Sequence, residues 1–411
     1  MESAIHRRSG LTLPTASGGA DLATTEPPPP ARMKIALFYY VIVKDNAIGM
    51  VDRTILEHLS EKYDFTVFSN RFDNPYPDRI RWIRVPCILA PSLCAVISFR
   101  LSAAALYFWH RIAGRPKFDI VHSSDAAFGH VQLADAHFCN RHYLLHVMDK
   151  KVKGIRGAAS FLARLLGSVL ERRIYRKARV VVVPSAGLRR ELIQAHGVDS
   201  GKIVVVPLPN DARMFPPDPS ERVKAREGLG LAGSEPTLVF AALGDFERKG
   251  LGLLIDSLAD SRLAAVRLLV VGGSAGALAP YRQRAKDRKV HDRVTFWGKR
   301  PIIRSFLWAA DALILPSRYE VFPVVVIQAA LTALPLLTTH LNGVEEYAVN
   351  GVTGFYIAEP ASIAIADTVA KFFSLSESKR REMGLEALRA VRGFTAERFA
   401  NSWESIYSLL A

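Results

Sequence analysis

The chain has 411 residues, 49% hydrophobic and 23% charged, with a formal net charge of +15, which excludes a fibrous or wholly disordered protein and leaves room for two ordinary domains. Its three cysteines, Cys87, Cys94 and Cys139, show neither metal-ligand spacing nor an even disulfide framework, which points to a reducing compartment. The positive excess predicts an anionic partner: nucleic acid, an acidic membrane face or a phosphorylated substrate.

Residues 1–32 are poor in large apolar side chains and end in a proline run, so they read as a disordered tail. They hold no continuous apolar stretch of the secretory kind. Residues 34–41 read as a buried first strand, 45–49 as a loop, 51–59 as a helix and 65–68 as a second strand, an opening β-loop-α-β unit. The apolar segment 87–109 is long enough to raise a membrane span, but Pro91, Arg100 and scattered serines favour a buried or interfacial helix. Strands at 118–124 and 131–138 carry His122, Asp135 and His137 towards their ends, where parallel α/β sheets bind ligands. Taken singly, each reads as a hydrogen-bonded strand-end residue. Asp135 and His137 share one strand face.

From Lys150 the chain turns basic, with Lys151, Lys153, Arg156, Arg164, Arg172, Arg173, Arg176, Lys177 and Arg179 interleaved with Phe161, Leu162, Leu165, Leu166, Val169 and Leu170 at helical spacing. Two readings stand level. One is a membrane-surface helix, each cation contributing roughly 1 kcal/mol near an anionic leaflet. The other is a domain helix whose apolar stripe faces the core and whose arginines are solvated.

Strands at 180–185 and 202–207 precede a proline-rich crossing at 207–217, where the domain boundary is set. A strand at 237–243 then leads into the turn 244–250, containing Gly244, Arg248 and Lys249, and a helix at 251–258. A glycine-flanked loop with two cations at a helix start suits a diphosphate; the alternative is an exposed basic turn. Gly272 and Gly273 close the next strand, but neither a Gly-x-Gly-x-x-Gly run nor a ribose-reading aspartate follows, which excludes an NAD site. Strand 312–316 precedes Glu320, Phe322, Pro323, Val324 and Gln328. Proline suits a first helical turn, leaving the amides of Val324 and Val325 for a phosphate with Glu320 beside them. Residues 324–327 fit a strand period equally well.

The stretch 317–335 resembles the motif of glycosyltransferase family 4, two glutamates separated by seven residues, with Glu320 at the first position and Gln328 at the second. The resemblance covers residues 33–411, densely in the second half and loosely in the first. It implies a helix after Pro323 and an α/β chain of GT-B architecture, two Rossmann-like domains facing across a cleft. Residues 33–210 would bind acceptor, 211–393 the nucleotide sugar, and a closing helix at 394–411 would cross back. It further implies that Glu320 grips hydroxyls of the donor sugar and that position 328 holds the ribose, here with an uncharged amide oxygen. Arg248 and Lys249 would take the diphosphate, with Gly49, Gly244, Gly272, Phe322, Pro323 and Val324 lining the donor. His137, with Asp135, would stand near the reacting sugar, and Gly343 and Glu346 would line the same crevice.

The implied activity is retaining transfer from a UDP- or GDP-sugar to a hydroxyl of a membrane-associated glycolipid or polysaccharide intermediate, as in bacterial lipopolysaccharide-core and exopolysaccharide synthesis. No cofactor and no metal are expected, and the location would be cytoplasmic, peripheral on the inner face of the membrane. Gln328, Val321 and Ala333 depart from the family pattern and keep open an inactive partner or a basic binding protein. An epimerase or phosphorylase of the same fold would leave the basic helix unexplained, and no nucleic-acid motif is present.

Overall fold

A computed structural model describes residues 32–44, 46–88, 90–148 and 154–411. The tail expected at 1–32 therefore lies outside them apart from Arg32, as do Asp45, Lys150, Lys151 and Lys153.

In chain order the strands are β1 (Lys34–Phe38), β2 (Val41–Ile42), β3 (Asp64–Ser69), β4 (Arg71–Phe72), β5 (Arg81–Arg84), β6 (Ile120–Ser124), β7 (Leu133–Asp135), β8 (Val180–Val183) and β9 (Ile203–Val205). After the crossing come β10 (Thr237–Ala241), β11 (Arg267–Val271), β12 (Val294–Gly298), β13 (Ala312–Leu315), β14 (Leu336–Thr339) and β15 (Gly354–Ile357). A seven-stranded sheet runs β5-β3-β1-β6-β7-β8-β9 and a six-stranded sheet β12-β11-β10-β13-β14-β15, while β2 and β4 pair separately. Every pairing is parallel. Parallel sheets are covered on both faces, so their strands are near-continuous apolar runs; the four valines of β8 and all of β10 and β13 are buried. Strand order reverses at β1/β6 and at β10/β13, and the crevice beyond such a reversal is where open α/β sheets take ligands.

One helix starts earlier than its sequence reading, and two lose one of the alternatives the sequence left open. The first begins at Ala47, not 51, because Asn46 Oδ1 accepts the Gly49 amide at 2.8 Å and caps it; the expected loop 45–49 is thereby corrected. Helix Ser92–Ile112 is not a buried helix: only Phe99, Ala103 and His110 are buried, while Leu101, Phe108, Trp109 and Ile112 stand exposed. It is long and apolar enough to cross a membrane by length and composition alone. Helix Gly154–Lys177 packs against it, and of its two level readings the core-facing one fails, because the apolar stripe is not the buried face. Phe161, Leu162, Leu165 and Val169 are exposed, and the buried face is instead Ala163, Ser168, Glu171, Ile174 and Tyr175.

Helix Ala396–Leu410, capped by Thr395, buries Phe399, Ala400, Trp403, Ile406, Tyr407 and Leu410 at three- and four-residue spacing. That stripe lies against helix Ala47–Leu59, where Tyr407 meets Tyr63 at 5.4 Å between ring centroids and Lys62 pairs with Glu404 at 2.7 Å.

Candidate functional site

The loops after β10 and β13 meet beyond the reversal of the second sheet. Gly250 makes this possible. It adopts φ +77°, and a Cβ there would stand 2.3 Å from the Pro316 carbonyl oxygen, so only glycine lets the two loops touch. Lys249 Nζ reaches Glu320 Oε1 at 2.5 Å and Arg248 Nη1 lies 3.0 Å from the same oxygen, with Ser317 Oγ donating at 3.1 Å. Arg248 is further tied by Nε to Asp245 at 2.5 Å and by Nη1 to the Tyr319 carbonyl. It therefore braces the turn with most of its donors. Lys249, with no other partner recorded among the described residues, keeps two ammonium hydrogens for a ligand.

Helix Val324–Leu331 follows Pro323, which sits one position earlier than a first-turn residue, as the cap itself with φ −75° and ψ 97°. No side chain caps this end, and the amides of Val324 and Val325 take no partner among the described residues. A phosphate or sugar hydroxyl can use them, favoured by the helix dipole. Phe322 and Pro323 are buried beneath the loop, and Gln328 is half-buried with no side-chain partner among the described residues.

The glycines divide. A Cβ on Gly244 would meet nothing within 4 Å, so a ligand can approach its backbone. Gly272, at φ +104°, would drive a Cβ to 1.9 Å from the Ala242 carbonyl oxygen, and Gly49 would put one 2.7 Å from that of Val41. Chain packing accounts for both residues without a donor. Val321 has ordinary backbone, whereas Ala333, another departure from the family pattern, is held at φ +56°.

Beyond β7 lies a second cluster. Asp135 is 1% exposed, with Oδ2 2.7 Å from His137 Nε2 and Oδ1 3.3 Å from His122 Nε2. His122 Nδ1 lies 3.0 Å from the Tyr407 hydroxyl of the closing helix. Asp125 Oδ1 accepts the His137 amide at 3.2 Å, and Ser124 Oγ donates to Asp52 at 2.6 Å. Burial works to raise Asp135, but the His137 and His122 rings outweigh it and hold the carboxyl well below the usual range. Burial likewise works to lower His137, and the Asp135 carboxylate prevails and raises it. Asp125 is pushed up to about 6 by burial. Burial and the Asp135 charge push Asp52 well above the usual carboxylate range. With Nε2 committed to Asp135, the His137 ring has Nδ1 left for a ligand.

Tyr319 joins the two groups. It precedes Glu320, and its ring packs edge-on against Phe138, the neighbour of His137, at 5.3 Å. Its hydroxyl donates to Glu191 Oε2 at 2.7 Å, and Asn342 Nδ2 donates to Oε1 of the same carboxylate at 2.5 Å. Glu346 commits one carboxylate oxygen to the first lobe. It is exposed and accepts the Ala186 amide at 2.6 Å. Gly343, beside Asn342, is buried against Phe322. The sequence reading passed over Glu191, although a carboxylate between Leu188 and Leu192 on the apolar face of a helix was a visible signal.

Cys139, Glu171 and His196 bring three metal-type donors within 4.8 Å of one another. Burial pushes the thiol up to about 12, and Glu171 already accepts the Asn140 amide at 3.0 Å, the Asn140 side chain and a contact of 3.0 Å to His196 Nε2. These contacts already occupy the Glu171 carboxylate, while His196 Nδ1 is buried without a hydrogen-bond partner among the described residues.

The family description "Glycosyltransferase Family 4" matches residues 51–212, and "Glycosyl transferases group 1" matches residues 222–389. The chain belongs to these glycosyltransferases, and its two parallel-sheet α/β halves form the GT-B fold. It is 29% identical over 252 residues to the D-inositol 3-phosphate glycosyltransferase of Nocardia farcinica, covering 58% of this chain and 54% of that one. With the enzyme of the same name from Kineococcus radiotolerans it shares 27% over 329 residues, 74% of this chain and 73% of the other. The matched part thus spans about half the length of the first of these relatives. Among solved structures it resembles WaaG, a glycosyltransferase involved in lipopolysaccharide biosynthesis, with a TM-score of 0.74 at 16% identity, covering 90% of this chain and 99% of that one. Anabaena Alr3699/HepE in complex with UDP and glucose gives 0.69 at 18%, covering 92% and 100%.

Proposed function

We propose that the protein transfers a glycosyl unit, with retention of anomeric configuration, from a uridine or guanosine diphosphate sugar to a hydroxyl on a membrane-associated glycolipid or polysaccharide intermediate. The single observation that carries this reading is the meeting of Lys249, Arg248 and Glu320 beyond the β10/β13 reversal, next to an uncapped helix start. Charge builds on the departing diphosphate as the glycosidic bond breaks. Lys249 and the amides of Val324 and Val325 are aimed at it in advance, each such donor contributing roughly 3 kcal/mol. Glu320, held by the two cations, positions the sugar hydroxyls. His137, fixed through Nε2 by Asp135, presents Nδ1 on the acceptor side. No resident metal is called for, since these cations and amides take the charge. The HepE structure contains UDP and glucose, which favours a uridine nucleotide for this chain as well.

The acceptor is proposed to lie in the membrane because the helices Ser92–Ile112 and Gly154–Lys177 expose apolar side chains, with Arg172, Arg173, Arg176 and Lys177 exposed at the end of the second. The proposed location is the inner face of the cytoplasmic membrane.

The test is a panel of nucleotide sugars, followed by nucleotide release with membrane extract as acceptor and chelator present. Wild type is expected to release a diphosphate, and Glu320→Ala and Lys249→Ala are not. Equal release from all three overturns the assignment. For the membrane, wild type is expected to co-sediment with anionic liposomes. Exchange of Arg172, Arg173, Arg176 and Lys177 for glutamate is expected to abolish this; undiminished sedimentation contradicts the surface.

A further inference from the structure

We infer that Glu191 is a positioning residue for the reaction proposed above: through Tyr319 and Asn342 it latches the first lobe onto the donor loop, so that Glu320 is set for transfer only when the lobes are closed. The inference rests on that reading of Glu320. Glu191 lies on helix Ala186–His196, which follows β8 of the first sheet, whereas Tyr319 and Asn342 follow β13 and β14 of the second. The residue is 6% exposed, and its carboxylate takes one hydrogen bond on each oxygen, from the Tyr319 hydroxyl at 2.7 Å and from Asn342 Nδ2 at 2.5 Å.

The contact is seated by shape. Gly187 lies so close to Asn342 that a Cβ would stand 2.0 Å from its Oδ1. The Ala186 amide, at the start of the same helix, donates to Glu346 at 2.6 Å, and Arg190 pairs with Glu345 at the exposed edge. That exposed pair contributes little. The buried carboxylate with two donors is the specific element, because separating the lobes strips both donors at once.

What makes the latch more than a seam is the position of Tyr319 in the chain. Its carbonyl oxygen accepts both Arg248 Nη1 and, at 3.3 Å, Ser317 Oγ, the groups that also hold Glu320. Its ring is wedged among Phe138, His142 and Tyr143 of the first lobe at 5.3, 5.9 and 5.7 Å. His142 Nε2 stands 3.6 Å from Glu191 Oε1 and completes the surroundings of the carboxylate. A pull on the hydroxyl of Tyr319 is therefore passed through one residue to the donor carboxylate.

The experiment compares wild type with Glu191→Gln, Tyr319→Phe and the double variant in two measurements. Steady-state kinetics with the donor found above is expected to show kcat about tenfold lower in each single variant, the loss of one hydrogen bond to a charged partner. The dissociation constant of the nucleoside diphosphate should stay within about twofold, because its cations sit on the second lobe. The double variant should fall no further than the worse single one, as expected for two residues acting as one unit. Small-angle scattering, which needs neither donor nor acceptor, should show a larger radius of gyration in all three variants. An unchanged radius overturns the latch whether or not turnover has been found. A larger radius with unaltered kcat, or kcat and nucleotide affinity falling together, overturns the positioning role while leaving the transferase reading intact.

Discussion

At the end of β13, the Glu320 carboxylate is bridged by Arg248 and Lys249, whose side chains are 14% and 16% exposed. At the end of β7, the Asp135 carboxylate sits between two histidines at 1% exposure, with Asp52 and Asp125 close behind. Both groups lie beyond strand ends, yet they use charge differently. The second-sheet group pairs one carboxylate with two cations that are not fully buried, so positive charge is available to an incoming anion. The first-sheet group is a buried set of titratable partners whose charge states depend on one another. A site of the first kind suits an invariant diphosphate; one of the second kind fixes a ring and its proton.

That difference can be broken from either side. The largest effect is expected from Arg248→Ala, which removes the brace on Asp245, Tyr319 and Glu320 together: nucleotide release should fall at least about 100-fold with the thermal midpoint nearly unmoved. A large drop in the midpoint instead would make the arginine a fold element. Asp135→Asn removes the buried carboxylate that both His137 and His122 contact and should lower stability by about 3 kcal/mol, read by urea unfolding.

Asp125→Asn sharpens the contrast through pH. A carboxyl raised to about 6 by burial is a folded state that binds protons more tightly than the unfolded one, so wild-type stability declines as pH rises from the ordinary value near 4 through 6. The asparagine variant should be more stable than wild type by about 1–2 kcal/mol at pH 8 and equal to it at pH 3.5. Asp125 as a residue is half-buried, less so than Asp135 and Asp52, which places the gain below the full shift. A difference independent of pH would refute the assignment. The smallest effect is expected from Ala333→Gly, which relieves a left-handed residue at φ +56° and should raise stability by about 1 kcal/mol without altering turnover.

These two groups also mark how far the sequence could be read. Apolar runs such as residues 180–183 and 312–315 disclosed buried strands, because a continuous apolar run is a local signal, whereas the donor role proposed for the 244–250 turn and the 317–328 stretch comes from the family resemblance. β5 and β15 went unseen: Arg81–Arg84 is polar and mostly exposed, and Gly354–Ile357 opens on a glycine at φ +147°. The apolar stripe on 161–169 could be placed by period but not by facing, since periodicity identifies a face and says nothing of what covers it. Gly49 and Gly272, which the resemblance places at the donor, are each also required by a neighbouring carbonyl. Glu191 and Tyr407 were missed for another reason. Each matters through a partner more than a hundred positions away, Tyr319 and His122, and no local pattern carries such a pairing.

The hydroxyl that Tyr407 offers to His122 has a consequence for synthesis on the ribosome. The first sheet is translated long before residue 407, so during that interval its buried histidine lacks one neighbour and the groove filled by Trp403 and Ile406 stands open to water. Nascent chains halted before that codon should therefore bind chaperones through the first lobe, and release from them should coincide with arrival of the final helix.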